Sequence, residues 1–169
     1  MKVVLIGFSC AYKTSAGKML ADRLGCGFVD TDETLERRTG MSVAEIFARY
    51  GEESFREREN ALIRELAELD GAVIACGGGS PLCGSFAYLA DRAIVVWLTV
   101  GVDCVLSRLD GVSRPLSDGL PREKLQALMD ERSAAYSKYA RFTVDTDGLT
   151  SNQTAEKIYS ELSKIFELV

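Results

Sequence analysis

The stretch GFSCAYKTS, residues 7–15, has the spacing of a phosphate-binding loop, G-x-x-x-x-G-K-[ST], with Gly7, Lys13 and Thr14 in register. In such a loop the backbone N–H groups, here those of Ser9, Cys10, Ala11, Tyr12, Lys13, Thr14 and Ser15, surround phosphate oxygens at a helix N-terminus. Lys13 would reach the outer phosphates and the Thr14 hydroxyl would hold magnesium. A glycine, a lysine and a threonine near a helix start also arise by chance. The apolar run before the loop and the Ala/Gly/Leu-rich helical pattern after it favour a nucleotide site. The second glycine of the pattern is replaced by Tyr12. That position commonly takes a positive φ, which costs a tyrosine about 1–2 kcal/mol unless the loop shifts. One lost amide–phosphate bond would cost about 1.5–3 kcal/mol, a ten- to hundred-fold weaker nucleotide. A phenol lying across the site would obstruct it outright.

Four further stretches carry chemistry. In DTD, 30–32, Asp30 or Thr31 can cap the next helix. Two carboxylates beside a phosphate loop also suit a magnesium partner and a base for a hydroxyl nucleophile. In FREREN, 55–60, Phe55, Leu62, Leu66 and Leu69 recur at helical spacing, and Glu59 falls in the middle of that apolar stripe. A carboxylate there needs a partner, and Arg56, three residues earlier, is within reach, so Glu59 is read as orienting Arg56 toward a site. The three glycines of GGGS, 77–80, imply that something approaches the backbone closely. Arg114, in the SRPL turn at 113–116, suits a lid that closes on phosphates. Arg132 alone is indistinguishable from a surface arginine.

An alternating α/β chain would bring these stretches together. Strand patterns fall at 2–6, 27–29, 72–75, 93–98 and 141–144, and helical patterns at 13–24, 32–39, 42–69, 102–109, 121–139 and 151–168. Strand–helix alternation with short connections reads as a parallel sheet, whose ligands bind beyond the carboxyl ends of the strands. The loop at 7–15, DTD, GGG and the helix leading to Arg114 each follow a strand, so all fall on one rim. The 169 residues are expected to form one unit, with 47% hydrophobic and 27% charged residues indicating a soluble globular chain. The net charge of −5 argues against general nucleic-acid or anionic-membrane binding. No apolar run approaches the length of a membrane span, and no secretory signal is expected. Histidine is absent, so any general base is Asp, Glu, Lys, Tyr or Cys. Five cysteines without C-x-x-C spacing point to a reducing cytoplasm rather than to disulfides or zinc.

From near residue 3 to near residue 165 the chain resembles the shikimate kinase family. The matching stretches are DTDETLERRTG, IFARYGEESFREREN, CGGGS, RPL and ERSAAY. The order of DTD, GE-x-x-FR-x-x-E and GGG separates it from other small P-loop kinases, such as gluconate or nucleoside-monophosphate kinases. The resemblance implies an adenylate-kinase-like three-layer α/β/α fold with a five-stranded parallel sheet. It also implies a substrate-binding segment at about 31–60 and a mobile lid at about 110–121. The implied activity is ATP-dependent phosphorylation of the 3-hydroxyl of shikimate, a step toward chorismate and aromatic amino acids, in a cytoplasmic monomer. By position, Asp32 contacts the substrate hydroxyls and acts as the base. Arg56 and Arg132 clamp the substrate carboxylate, a task suited to the bidentate guanidinium. Gly78 and Gly79 contact the substrate through backbone. Asp30 and Thr14 serve Mg²⁺, Lys13 and Arg114 serve the phosphates, and Arg108 lies near the adenine.

Three departures from the family pattern stand out: Tyr12 and Cys10 replace glycines, and RSAAY replaces R-x-P-L-Y. They keep two alternatives open, a shikimate-binding protein with little or no kinase activity and a kinase for another small polyhydroxy acid. Retention of Lys13, Thr14 and Asp32 favours the kinase over the binder. Retention of Arg56 with Arg132 favours shikimate over another acid. Cys10 differs from the other cysteines in lying beside a helix N-terminus. It is expected to be alkylated readily and to be protected by ATP. Equal labelling with and without nucleotide would count against its place in the loop.

Overall fold

The computed structural model describes residues 1–109 and 119–167. The expected lid falls largely on residues 110–118, outside the described residues, and Arg114 lies there with it. Five strands, β1 (Lys2–Ile6), β2 (Gly27–Asp30), β3 (Ala72–Ala75), β4 (Ile94–Thr99) and β5 (Phe142–Asp145), form one sheet in the order β2-β3-β1-β4-β5. Every pairing is parallel. The expected three-layer α/β fold is therefore the observed one. β1 lies at the centre, where Val4 pairs with Ile74 on one side and Val95 on the other.

Strand side chains alternate between faces, so the apolar run of β1 supplies two cores at once. Val4 and Ile6 join Ile74 and Val95 in a cluster with Phe55, Leu62 and Leu66. Val3 and Leu5 join Val73, Val96 and Leu98 in a second cluster on the other face. The second is covered by α1 (Lys13–Leu24) and α7 (Ser151–Glu167), the first by α3 (Val43–Ala67) and α4 (Phe86–Ala90). The remaining helices are α2 (Thr31–Thr39), α5 (Val102–Leu109) and α6 (Arg122–Tyr139). A small third cluster of Phe8, Val102, Val105, Leu125 and Met129 joins α5 to α6.

The pattern at 42–69 is not one regular helix. Ser42 begins α3 with a reciprocal capping box to Glu45, but the helix breaks at Gly51, where φ is 81° and ψ 171°. Only glycine adopts that backbone freely. Leu69 lies beyond the helix end and is exposed, so the buried stripe stops at Leu66. The 3₁₀ turn at Ser80–Leu82 and the five-residue α4 have no counterpart in the periodicity, because elements that short do not complete a helical repeat. All five cysteines are free, as expected. Among the described residues no helix is long and apolar enough to cross a membrane.

α1 approaches the sheet closely at Gly17. A β-carbon there would lie 2.6 Å from Cε2 of Phe28 and 3.1 Å from Cδ1 of Leu5. Gly17→Val is expected to destabilise the fold by about 1–3 kcal/mol through overpacking, read as a lower urea midpoint at an unchanged denaturant slope.

Candidate active site

The loops that follow β1, β2 and β3 line one cavity of about 810 Å³, together with residues of α3, α5 and α6. Ser9, Cys10, Ala11, Tyr12, Lys13, Thr14, Ser15, Asp30, Asp32, Arg56, Gly78, Gly79, Arg108 and Arg132 all border it. Gly7 does not. Its φ is 146°, and a β-carbon there would collide with the backbone carbonyl oxygen of Leu98, so it serves close contact with β4.

On the phosphate-loop side, Tyr12 sits at φ 61°, ψ 18°, and Cys10 at φ 64°. The loop has thus kept the left-handed turn at Tyr12 rather than shifting to avoid it, and the Tyr12 carbonyl accepts the first α1 hydrogen bond from the Ala16 N–H at 2.8 Å. The ring lies over the Arg108 guanidinium, 4.0 Å from its Cζ, and packs against the second apolar cluster. Lys13 Nζ donates to the carbonyls of Gly7 (2.8 Å) and Phe8 (2.7 Å), which keeps the ammonium folded over the loop. Thr14 donates its hydroxyl to Asp30 Oδ2 at 2.5 Å. Asp30 Oδ1 meanwhile caps α2 by accepting from the N–H groups of Asp32 and Glu33. Asp30 thus caps α2 with one carboxylate oxygen and holds the Thr14 hydroxyl with the other.

The three glycines make room for three charged side chains of this chain itself. A β-carbon at Gly77 would lie 2.8 Å from Asp32 Oδ1, one at Gly78 3.1 Å from Arg132 Nη1, and one at Gly79 2.5 Å from Arg56 Nη2. Glu59 has no exposed surface. It accepts from Arg56 Nη1 at 2.7 Å, from the Ser80 hydroxyl at 2.5 Å and from the Cys83 thiol at 3.0 Å. Glu59 thus holds Arg56 against the glycine turn, with Glu52 a second, exposed partner at 3.3 Å. Arg132 is only 6% exposed, its Cζ lies 5.3 Å from the Phe8 ring centroid, and its Nε has no hydrogen-bond partner among the described residues. Arg132 also borders the cavity, and a buried guanidinium there favours an anion as its partner. The cavity can therefore take a phosphate chain along its loop and a carboxylate between two arginines.

A shikimate kinase family model matches residues 9–163. The chain is 42% identical over 168 residues to a shikimate kinase of Moorella thermoacetica, covering 98% of this chain and 96% of that one. It is 38% identical over 166 residues to a shikimate kinase of Thermodesulfovibrio yellowstonii, covering 96% and 95%. The chain belongs to the shikimate kinase family. The shikimate kinase of Acinetobacter baumannii, solved in complex with shikimate, superposes with a TM-score of 0.90 at 33% identity, covering 96% of this chain and 93% of that one.

Several residues around this cavity escaped the sequence reading. Tyr136 is almost wholly buried and donates its hydroxyl to the Gly78 carbonyl at 2.5 Å, bracing the turn that faces Arg132. Its spacing of four from Arg132, on one helix face, was the available signal. Ser80 and Cys83 complete the Glu59 shell, and Thr146 anchors Arg108. Their chain separations from those partners are long, and nothing local marks them.

Burial, reinforced by the neighbouring Glu59 carboxylate, pushes the Cys83 thiol up to about 12 from 9.0. Burial likewise pushes the Tyr136 phenol up to about 12 from 10.0. Both groups stay neutral in the folded state while the unfolded chain ionises them, so their contribution is complete below pH 9. Stability is expected to fall from pH 9 for Cys83 and from pH 10 for Tyr136, continuing toward pH 12. Burial raises the Cys76 thiol as well, so Cys83→Ser should reduce the decline that begins at pH 9 without abolishing it, and urea unfolding across this range checks it.

Proposed function

We infer that the protein transfers the γ-phosphoryl group of ATP to the 3-hydroxyl of shikimate, giving shikimate 3-phosphate and ADP. The observation that carries this reading is the convergence of Arg56, Arg132 and Asp32 on the glycine turn, in the same cavity as the phosphate loop. The two guanidiniums bind the substrate carboxylate and fix the ring. Asp32, on the first turn of α2, orients the 3-hydroxyl and accepts its proton as the oxygen–phosphorus bond forms and the bond to the β-phosphate oxygen breaks. The loop N–H groups and Lys13 hold the phosphates, and Gly78 and Gly79 leave the backbone open to the substrate. The rate comes mainly from positioning and charge stabilisation.

The residues present fit a magnesium ion. The Thr14 hydroxyl and the Asp30 carboxylate meet beside the loop, and no group of three or more Cys, Asp or Glu side chains able to hold a metal exists among the described residues. Magnesium typically takes one or two protein oxygens and completes its shell with water and phosphate. When bound, it would neutralise charge on the transferring phosphates. Arg108 lies at the nucleotide end, and Arg114, which the family resemblance assigns to the phosphates, falls outside the described residues. On this reading the chain acts as one domain, with 31–60 as its substrate segment. It works as a cytoplasmic monomer on shikimate and ATP, without nucleic acid or membrane partners.

The shikimate-binder alternative is weakened by the preserved loop geometry, with Lys13, Thr14 and Asp30 all bordering the cavity. ADP release should depend on both shikimate and Mg²⁺, with gluconate failing to replace shikimate. Asp32→Asn is expected to lower kcat by about 10²–10⁴-fold. Shikimate binding without turnover in the unaltered protein would favour the binder, and turnover with another polyhydroxy acid alone would favour the third reading.

A further inference from the structure

We infer that Tyr12 is a positioning residue: by stacking on Arg108 it holds the nucleotide loop in its phosphate-accepting shape, a role resting on the kinase reading above. Two non-glycine residues of this loop, Cys10 and Tyr12, have left-handed backbones. L-residues adopt that conformation only where their surroundings impose it. Arg108 at the end of α5 supplies the restraint. Its Nη1 donates to the Cys10 carbonyl at 2.9 Å and to the Thr146 hydroxyl at 3.3 Å, and its Nη2 donates to the Thr146 carbonyl at 2.9 Å. Thr146 has no exposed surface, and both its N–H (3.0 Å) and its hydroxyl (2.9 Å) donate to the Thr99 carbonyl at the end of β4. The Tyr12 ring covers the guanidinium 4.0 Å from its Cζ. The loop is thus tied through Arg108 and Thr146 to the sheet, and the ring holds the guanidinium plane in place.

A tyrosine where the family has glycine suggests a handicap. Tyr12 holds the left-handed conformation in the folded chain, so its cost falls on folding, and removing it stabilises the fold without improving affinity. Removing the ring frees Arg108 and leaves ATP to order the loop. Strain and restraint therefore predict opposite signs in two measurements on one variant.

The experiment is calorimetric titration with ATP and Mg²⁺, paired with thermal unfolding and with KM for each substrate. It covers the unaltered protein, Tyr12→Gly, Tyr12→Phe, Arg108→Met and the Tyr12→Gly/Arg108→Met double variant. Tyr12→Gly should bind ATP about three- to thirty-fold more weakly, with an equal or higher melting temperature and an unchanged KM for shikimate. Tyr12→Phe should retain affinity, and the double variant should be no weaker than Arg108→Met alone. Equal or tighter ATP binding by Tyr12→Gly, loss of affinity in Tyr12→Phe, or additive losses in the double variant would each overturn the inference while leaving the kinase reading intact. Failure of the unaltered protein to bind ATP would overturn both.

Discussion

The carboxylate of Glu59 is removed from water altogether, and much of the site is organised around that constraint. A buried carboxylate is tolerated only if nearby donors replace its hydration. Arg56, Ser80 and Cys83 supply three, from α3, from the start of the 3₁₀ turn and from the residue after it. Meeting that demand draws the glycine turn against α3 and sets the Arg56 guanidinium on the cavity wall. Glycine is the residue that lets this close, because Asp32, Arg132 and Arg56 each occupy space that a β-carbon would need. The charges that face the cavity and the core that supports them are therefore built from the same few contacts.

The nucleotide end follows a different logic. Its shape comes from backbone held in uncommon conformations, and the supports are hydrogen bonds from one arginine to carbonyls far away in the chain. Asp30 links the two ends. One of its oxygens caps α2, which carries Asp32, and the other holds the Thr14 hydroxyl at the start of α1. A displacement of β2 would thus disturb both the phosphate loop and Asp32 on the cavity wall.

Much of this was legible beforehand, since strand patterns have a period of two and helical patterns one of 3.6. β1 and β3 agree with their expected bounds, and the stripe of Phe55, Leu62 and Leu66 lies in the core with Glu59 among it. The break at Gly51 was not legible, because a lone glycine inside a helical pattern does not announce whether it bends the chain. Tyr12 was legible only as a departure. Its identity raised the cost of a left-handed turn, while the compensating partner, Arg108, lies nearly a hundred residues away in the chain.

The sequence by itself determined the alternation of strands and helices, the rim on which the loops gather, and the residue types able to meet phosphate, carboxylate and a hydroxyl proton. These depend on local periodicity and side-chain chemistry, which a linear chain carries in full. Only the tertiary structure decided which charges touch. It assigned one glycine to each of three charged side chains, left the Nε of a buried Arg132 unpartnered among the described residues, and laid the Tyr12 ring on Arg108. Those outcomes depend on distances between residues remote in the chain, and distance is set by how the layers pack.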